Sequence, residues 1–524
     1  MSISDLKSYE KKKTVKNGIM RVAFTVFAGM VEISFLLFLL FLGNYYWKYF
    51  SIALRLISTV VCLMIYSQAR TANLKMPWLI FILTMPSFGL LMYVFVGLSG
   101  SFLGVNKRYT WVDEYLQPYW DKDSPALNRF AKKDPDVSGI ARYLQKNQGF
   151  PVYDRSEIRY YKETTDCLEQ MLKDLEQAKE FIFMEYYAIE DSLIFERILN
   201  ILKKKTEEGI LVRIFYDDLG SVSFVDLNFA KKIKKYGIEC RTFNPFFGPI
   251  NTFLNNRDHR KIMVIDGKIG YTGGFNLADE YFHLTEPYGE WKDAGVRIVG
   301  DAVRSLTLIF LENWNALKKK DRHLADRDVE KFLKKEDVES PGEGFIQPYS
   351  DNPFDNEQVG ENVYINLASK ANDYIYFSTP YLIITEEMVS ALTLAAKRGV
   401  DVRIVTPGIP DKKTIYSMTR SYYHMLAREG VRIFEYTPGF NHSKLCVMDD
   451  TTACCGSFNL DYRSFYHNFE DGCIFYHCRA VSDVKEDLLE MMGKSVDVTE
   501  KYVAKRAGVL RLWQMLLRLF TPLF

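Results

Sequence analysis

Two short stretches of this chain carry residue types suited to phosphoryl chemistry, and they carry them at the same spacing. The first reads His259-Arg260-Lys261-Ile262-Met263-Val264-Ile265-Asp266 and is followed by Gly273-Gly274-Phe275-Asn276. The second reads His442-Ser443-Lys444-Leu445-Cys446-Val447-Met448-Asp449 and is followed by Gly456-Ser457-Phe458-Asn459. In an extended strand, residues two apart share a face, so His259 lies beside Lys261 and His442 beside Lys444. An imidazole next to a fixed ammonium can attack phosphorus or deliver a proton while the lysine neutralises phosphate oxygen charge. One such motif arises by chance often enough to mean little; two with the same downstream G-x-x-N do not.

The spacing also indicates what holds these residues. The motif supplies His259, Lys261, Asp266, His442, Lys444 and Asp449 as a catalytic set. Asp266-Gly267 is a tight-turn signal, and the strand Ile269–Thr272 is expected to return antiparallel, with Thr272 opposite Lys261. Asn276 is then expected beside His259, and Asn459 beside His442, each offering its amide to a phosphate oxygen. Asp266 lies seven residues from His259, about 23 Å along an extended strand. The geometry therefore assigns Asp266 and Asp449 to the turn and the packing rather than to the chemical step. Better carboxylate partners for the imidazoles are Asp293 and Glu470, which would fix the tautomer and stabilise an imidazolium. Which acid serves which histidine is open at this stage.

The elements around each motif repeat. The first pass predicts strand Phe181–Tyr187, a helix over Leu193–Lys205, strand Ile210–Tyr216, helix Phe229–Tyr236 and strand Ile238–Phe243. The second predicts strand Tyr374–Ser378, helix Glu386–Lys397, strand Val400–Thr406, helix Tyr416–Glu429 and strand Val431–Tyr436. The motifs are 183 residues apart, too far for a solenoid repeat. The expected architecture is α/β: two similar halves, residues 101–335 and 336–524, meeting face to face and sharing one site. A charged linker with some helix, Leu317–Phe345, is expected between them. The remaining histidines, His283, His323, His424, His467 and His477, repeat nothing and read as solvated or packed. No metal-ligand spacing appears, and two lysine-backed histidines favour covalent catalysis over a metal-activated water. No cofactor is expected.

Residues 1–100 read as membrane. Three apolar runs, about Val22–Gly43, Tyr49–Ser67 and Pro77–Leu98, each approach the ~20 residues that cross a bilayer core. Tyr45, Tyr46, Trp47, Tyr49 and Trp78 mark run ends. Pro86 with Gly89 suggests a kink or a re-entrant third run. Lys7, Lys11, Lys12, Lys13, Lys16 and Arg21 argue for a cytoplasmic N-terminus. Three crossings would then put the rest outside the cytoplasm and two would return it inside. Eight cysteines without paired spacing lean towards the inside. Two further segments suit lipid contact: the apolar loop Phe243–Leu254 before the first motif, and the amphipathic stretch Gly508–Phe524. Lysine plus arginine number 67 and aspartate plus glutamate 66, so no global charge argues for a nucleic-acid partner.

These residues resemble the phospholipase D superfamily, with its signature H-x-K-x4-D-x6-G-[GS]-x-N, and within it the bacterial cardiolipin synthases. The likeness extends over Gly273–Tyr281, Ser378-Thr379-Pro380-Tyr381, Asn459–Phe465 with Asn468 and Glu470, the run from Trp78 through Pro86, Gly89, Tyr93 and Gly97, and the terminal Leu519–Phe524. It implies a multi-pass cell-membrane enzyme that moves a phosphatidyl group from one phosphatidylglycerol to another, releasing glycerol. It further implies a phosphohistidine at His259 and an acid/base at His442. A phospholipase that hydrolyses phospholipid to phosphatidic acid uses the same residues and differs only in the acceptor. A nucleic-acid phosphodiesterase and a lipid-binding scaffold are disfavoured by the apolar runs and by two intact motifs.

Overall fold

The computed structural model describes residues 47–68, 72–94, 104–245, 256–317, 319–326, 329–333, 342–355 and 357–504, with single positions at 30, 34, 517 and 518. The first apolar run, the tip of the loop before the first motif and most of the C-terminal stretch lie outside these residues.

Each half is built on a mixed sheet. In the first, the strand order is Ser156–Tyr161, Gly295–Gly300, Ile269–Gly273, Lys261–Ile265, Phe181–Tyr186, Leu211–Asp217, Glu239–Phe243. In the second it is Phe345–Asp351, Asn468–Tyr476, Thr452–Gly456, Leu445–Met448, Tyr374–Ser378, Asp401–Pro407, Arg432–Tyr436, Ser495–Asp497. Both have the motif hairpin at the centre, antiparallel neighbours on one side and a parallel βαβ run on the other. The crossover helices follow from their sequences. Leu193–Glu207 buries Ile194, Phe195, Ile198 and Leu202 at helical spacing and starts at Ser192, whose hydroxyl accepts from the Phe195 N–H. Its counterpart, Glu386–Lys397, is capped in the same way by Thr385. The central strands of both sheets are buried along their length, which suits their largely apolar sequences.

The return strand differs from expectation by one residue. Ile265 pairs with Ile269 and Ile262 with Thr272, so three residues, not two, make the turn. Asp266 and Gly267 both take left-handed backbone angles (φ 54° and 68°), and Lys268 is the extra residue. A one-residue change moves every following side chain to the other face of the strand. Thr272 therefore does not face Lys261.

The halves join through two short parallel strand pairs. Glu290–Lys292 of the first pairs with Gly439–Asn441 of the second. Arg257–Asp258 of the first pairs with Asn468–Phe469 of the second. Each pair leads directly into one histidine and one acid.

Before residue 105, one described helix, α1 (Trp47–Tyr66), is long and apolar enough to cross a membrane. The third apolar run is not one helix. It is divided into α2 (Ala72–Thr84) and α3 (Pro86–Met92) at Met85, whose backbone is non-helical (φ −132°, ψ 72°). All eight cysteines are free thiols, seven of them buried.

Candidate active site

Both histidines sit at the junction of the halves, and each is held by the half it does not belong to. The His259 N–H donates to the Phe469 carbonyl (2.9 Å) and the His442 N–H to the Lys292 carbonyl (2.7 Å). The next residue on each supporting strand is the acid. His259 Nδ1 lies 2.8 Å from Glu470 Oε2, and His442 Nδ1 lies 2.6 Å from Asp293 Oδ2. The pairing left open by the sequence is thus an exchange between the two halves.

The two pairs are unequal. Glu470 also accepts from Ser457 Oγ, from Ser464 Oγ (2.7 Å) and from Asn468 Nδ2 (3.1 Å). Burial pushes its carboxyl up, but contact with His259, the nearby Lys261 ammonium and the Ser457 hydroxyl together hold it below the usual range. Burial drives His259 down to about 4 against the opposing pull of Glu470. At neutral pH the imidazole is therefore neutral, and its Nδ1 contact with the Glu470 carboxylate favours the tautomer that leaves the lone pair on Nε2. Asp293 has fewer donors: the Ala294 N–H (2.9 Å) and the histidine. Burial pushes it up to about 7. Burial and Lys444 hold His442 well below the usual histidine range. This second pair shares a proton near neutrality. One difference lies in the motifs: Ser457 and Gly274 occupy equivalent positions, and a Cβ on Gly274 would lie 2.1 Å from Asp293 Oδ1.

Lys261 and Lys444 are both buried, and each donates to the carbonyl of its own histidine. Lys444 Nζ is also 2.8 Å from Nδ1 and 3.1 Å from Nε2 of His442. Desolvation lowers Lys261 to about 8 and Lys444 to about 7. A bound phosphodiester would reverse this by supplying the missing counter-charge.

The aspartates of the motif do not join the cluster. Asp266 accepts from the N–H groups of Lys179 (2.8 Å), Glu180 (2.7 Å) and Phe181 (2.9 Å), and Asp449 from those of Asn372, Asp373 and Tyr374. They anchor the turn to the start of the neighbouring strand. The two asparagines are held differently. Asn276 accepts from the Ala188 N–H (3.1 Å) and donates to the Tyr281 hydroxyl (2.7 Å). The Tyr281 ring packs edge-on to His442 (5.3 Å between centroids), so Asn276 supports the wall beside the second histidine. Asn459 leaves a buried Oδ1 with no protein partner.

Sequence reasoning missed the aromatic walls. Tyr187 packs edge-on to His259 at 5.0 Å, and Trp291 lies 5.6 Å from His442; only tertiary packing marks them. It also missed what lies beneath the histidines. In the first half Glu185, Asp258 and Arg260 form a fully buried charged group, with Asp258 raised to about 7 and Arg260 paired to Glu312 at 2.7 Å. The equivalent positions in the second half are Ser378, Asn441 and Ser443, a neutral hydrogen-bonded trio. Among the described residues no group of histidine, cysteine and acid side chains is arranged to hold a metal.

Both motif regions also match known proteins. The family described as "Cardiolipin synthase, PLD-like domain" matches residues 171–289 and 364–492, one match around each motif. A protein called cardiolipin synthase 1 from Staphylococcus aureus is 33% identical over 480 residues, which cover 90% of this chain and 95% of that one. A Streptococcus mutans protein without an assigned activity is 38% identical over 463 residues, 88% of this chain and 99% of its own. Among solved structures, phosphatidylserine synthase from Haemophilus influenzae superimposes with a TM-score of 0.52 at 16% identity, covering 71% of this chain and 94% of that one. At that identity the likeness speaks for the fold alone.

Proposed function

We propose, from the premise that this chain belongs to the phospholipase D-like family of cardiolipin synthases and is a phosphatidyltransferase, that it joins two phosphatidylglycerols into cardiolipin and glycerol through a phosphohistidine. The observation that carries the reading is the exchanged, unequal pair of histidine–acid contacts. The neutral His259 attacks phosphorus through Nε2, and the bond from phosphorus to the leaving glycerol oxygen breaks. Glu470, already ionised, balances the positive charge that appears on the phosphorylated ring. His442, with a proton in its pair with Asp293, protonates the leaving glycerol oxygen. A hydroxyl of the second phosphatidylglycerol then gives its proton back to His442 and attacks phosphorus, which breaks the P–N bond and frees His259. Lys261 and Lys444 carry the charge of the phosphate oxygens throughout. The N-terminal apolar segments hold the enzyme in the cell membrane, where both substrates reside.

The test uses the full-length protein in phosphatidylglycerol vesicles, with cardiolipin, glycerol and phosphatidic acid quantified together, for wild type and His259→Ala. Cardiolipin and glycerol in equal amounts, absent in the variant, are expected. Phosphatidic acid as the main product would refute the acceptor and leave a hydrolase.

A further inference from the structure

The N-terminal helices carry an inference about how the chain meets the bilayer. Its basis is independent of the reaction. Helix α1 has 20 residues, about 30 Å at 1.5 Å per residue, the thickness of a hydrocarbon core. Ile52, Leu56, Val60 and Leu63 are exposed along it, as lipid-facing side chains would be. The next apolar stretch, residues 72–92, would also span about 31 Å if it were one helix. It is instead folded in two. After Met85, α3 runs back along α2: the Phe81 and Phe88 rings are 5.8 Å apart, and those of Trp78 and Tyr93 5.4 Å. Gly89 permits the approach, since a Cβ there would lie 2.6 Å from the Phe81 carbonyl oxygen.

Both open ends of this hairpin are fastened to the same place, the C-terminal end of α1. Lys75 Nζ donates to the carbonyls of Tyr66 (3.1 Å) and Gln68 (3.0 Å). Gln68 Nε2 donates to the Tyr93 hydroxyl (3.1 Å). A lysine, a glutamine, two tyrosines and Trp78 thus gather at one level, the composition of a membrane–water interface. The Thr84–Pro86 tip lies about 14 Å deeper, counting nine residues of helix from Lys75, near mid-bilayer. Nine residues separate Val94 from Gly104, about 14 Å as helix, too few to cross again.

We infer that residues 72–92 form a re-entrant hairpin that dips into the bilayer and returns, so that the catalytic halves lie on the face where α1 ends. That face is the cytoplasmic one. Arg70, Lys75, Lys107 and Arg108 adjoin it in short segments, against Lys48 alone next to the other end of α1. Substrate is accordingly drawn from the cytoplasmic leaflet.

The experiment places single cysteines in the full-length protein at two exposed positions, Ser67→Cys before the hairpin and Asn106→Cys after it. The wild-type chain gives the background from its own thiols. A membrane-impermeant maleimide is applied to intact protoplasts and to inverted vesicles, and labelling in detergent sets the full signal. Labelling of both positions in inverted vesicles and of neither in protoplasts is the expected result. Labelling of the two positions from opposite faces would overturn the re-entrant hairpin. Labelling of both from outside would overturn the cytoplasmic assignment. Release of the protein from membranes by carbonate would overturn the insertion itself.

Discussion

Replacing Ser457 by alanine isolates the difference between the two histidine–acid pairs. The Ser457 hydroxyl donates to Glu470 Oε2, the same oxygen that faces His259 Nδ1. A hydrogen bond to a charged group contributes about 1.5–3 kcal/mol. Its loss should raise the Glu470 pKa. The same free energy supports the charge on a phosphorylated His259, so kcat should fall roughly 10- to 100-fold. Ser464 and Asn468 remain on Oε1, so substrate binding, and with it KM, should change little. The assay is cardiolipin formation in mixed micelles of fixed phosphatidylglycerol fraction, read as kcat/KM from pH 4 to 8. The sign is fixed by the direction of the shift. Glu470 acts as a carboxylate, so a raised pKa moves the acid limb of the profile to higher pH. The hydroxyl also accepts from the Asp471 N–H (2.9 Å), so some thermal stability is lost as well. That loss alone cannot move a pH limb. An activity decrease of the same factor at every pH, or an increase in KM at unchanged kcat, would refute the reasoning.

Other consequences can be checked separately. Glu470→Gln should abolish phosphohistidine accumulation after an acid quench, whereas Asp293→Asn should slow turnover while the intermediate, trapped with labelled substrate, persists. Asp266→Ala removes the acceptor of three N–H groups and should cost about 2–4 kcal/mol of stability in denaturant titrations, with activity per folded molecule nearly unchanged. Inorganic phosphate should bind with proton uptake near pH 8, because the anion restores charge to Lys261 (about 8) and Lys444 (about 7). Its affinity should fall as pH rises from 7 to 9, measured by calorimetry in buffers of different ionisation enthalpy. Gly439→Ala places a Cβ 2.1 Å from the Glu290 carbonyl oxygen across the junction of the halves. It should reduce kcat while the circular dichroism of both halves is retained.

The sequence made the local elements plain and the long-range partnerships obscure. Strand Tyr374–Ser378 and helix Glu386–Lys397 appear with the expected bounds, because a strand flanked by turn signals and a capped amphipathic helix are decided by neighbours in sequence. The register of Ile269–Gly273 was missed by one residue because a two-residue and a three-residue turn share the same Asp-Gly signal, and packing chooses between them. The exchange of Glu470 and Asp293 had no local signal at all, since each acid meets its histidine only after the halves have docked. The same holds for the reversal at Met85. Pro86 announces a break, but the direction of the chain beyond it is set by contact of Gly89 with Phe81 and Ile82.

The exchange of acids also bears on how such a chain came to exist. A single half could never have completed either histidine–acid pair. It would have worked only as a twofold-symmetric dimer, each copy lending its acid to the other. In such a dimer both pairs are identical by symmetry, and the position now held by Gly274 and Ser457 must be the same residue twice. Joining the two copies into one chain removes that constraint. Only then can one motif keep a serine and the other a glycine, so that the two histidine–acid pairs differ. The difference between Gly274 and Ser457 is therefore an asymmetry that a pair of identical subunits would have no means to encode.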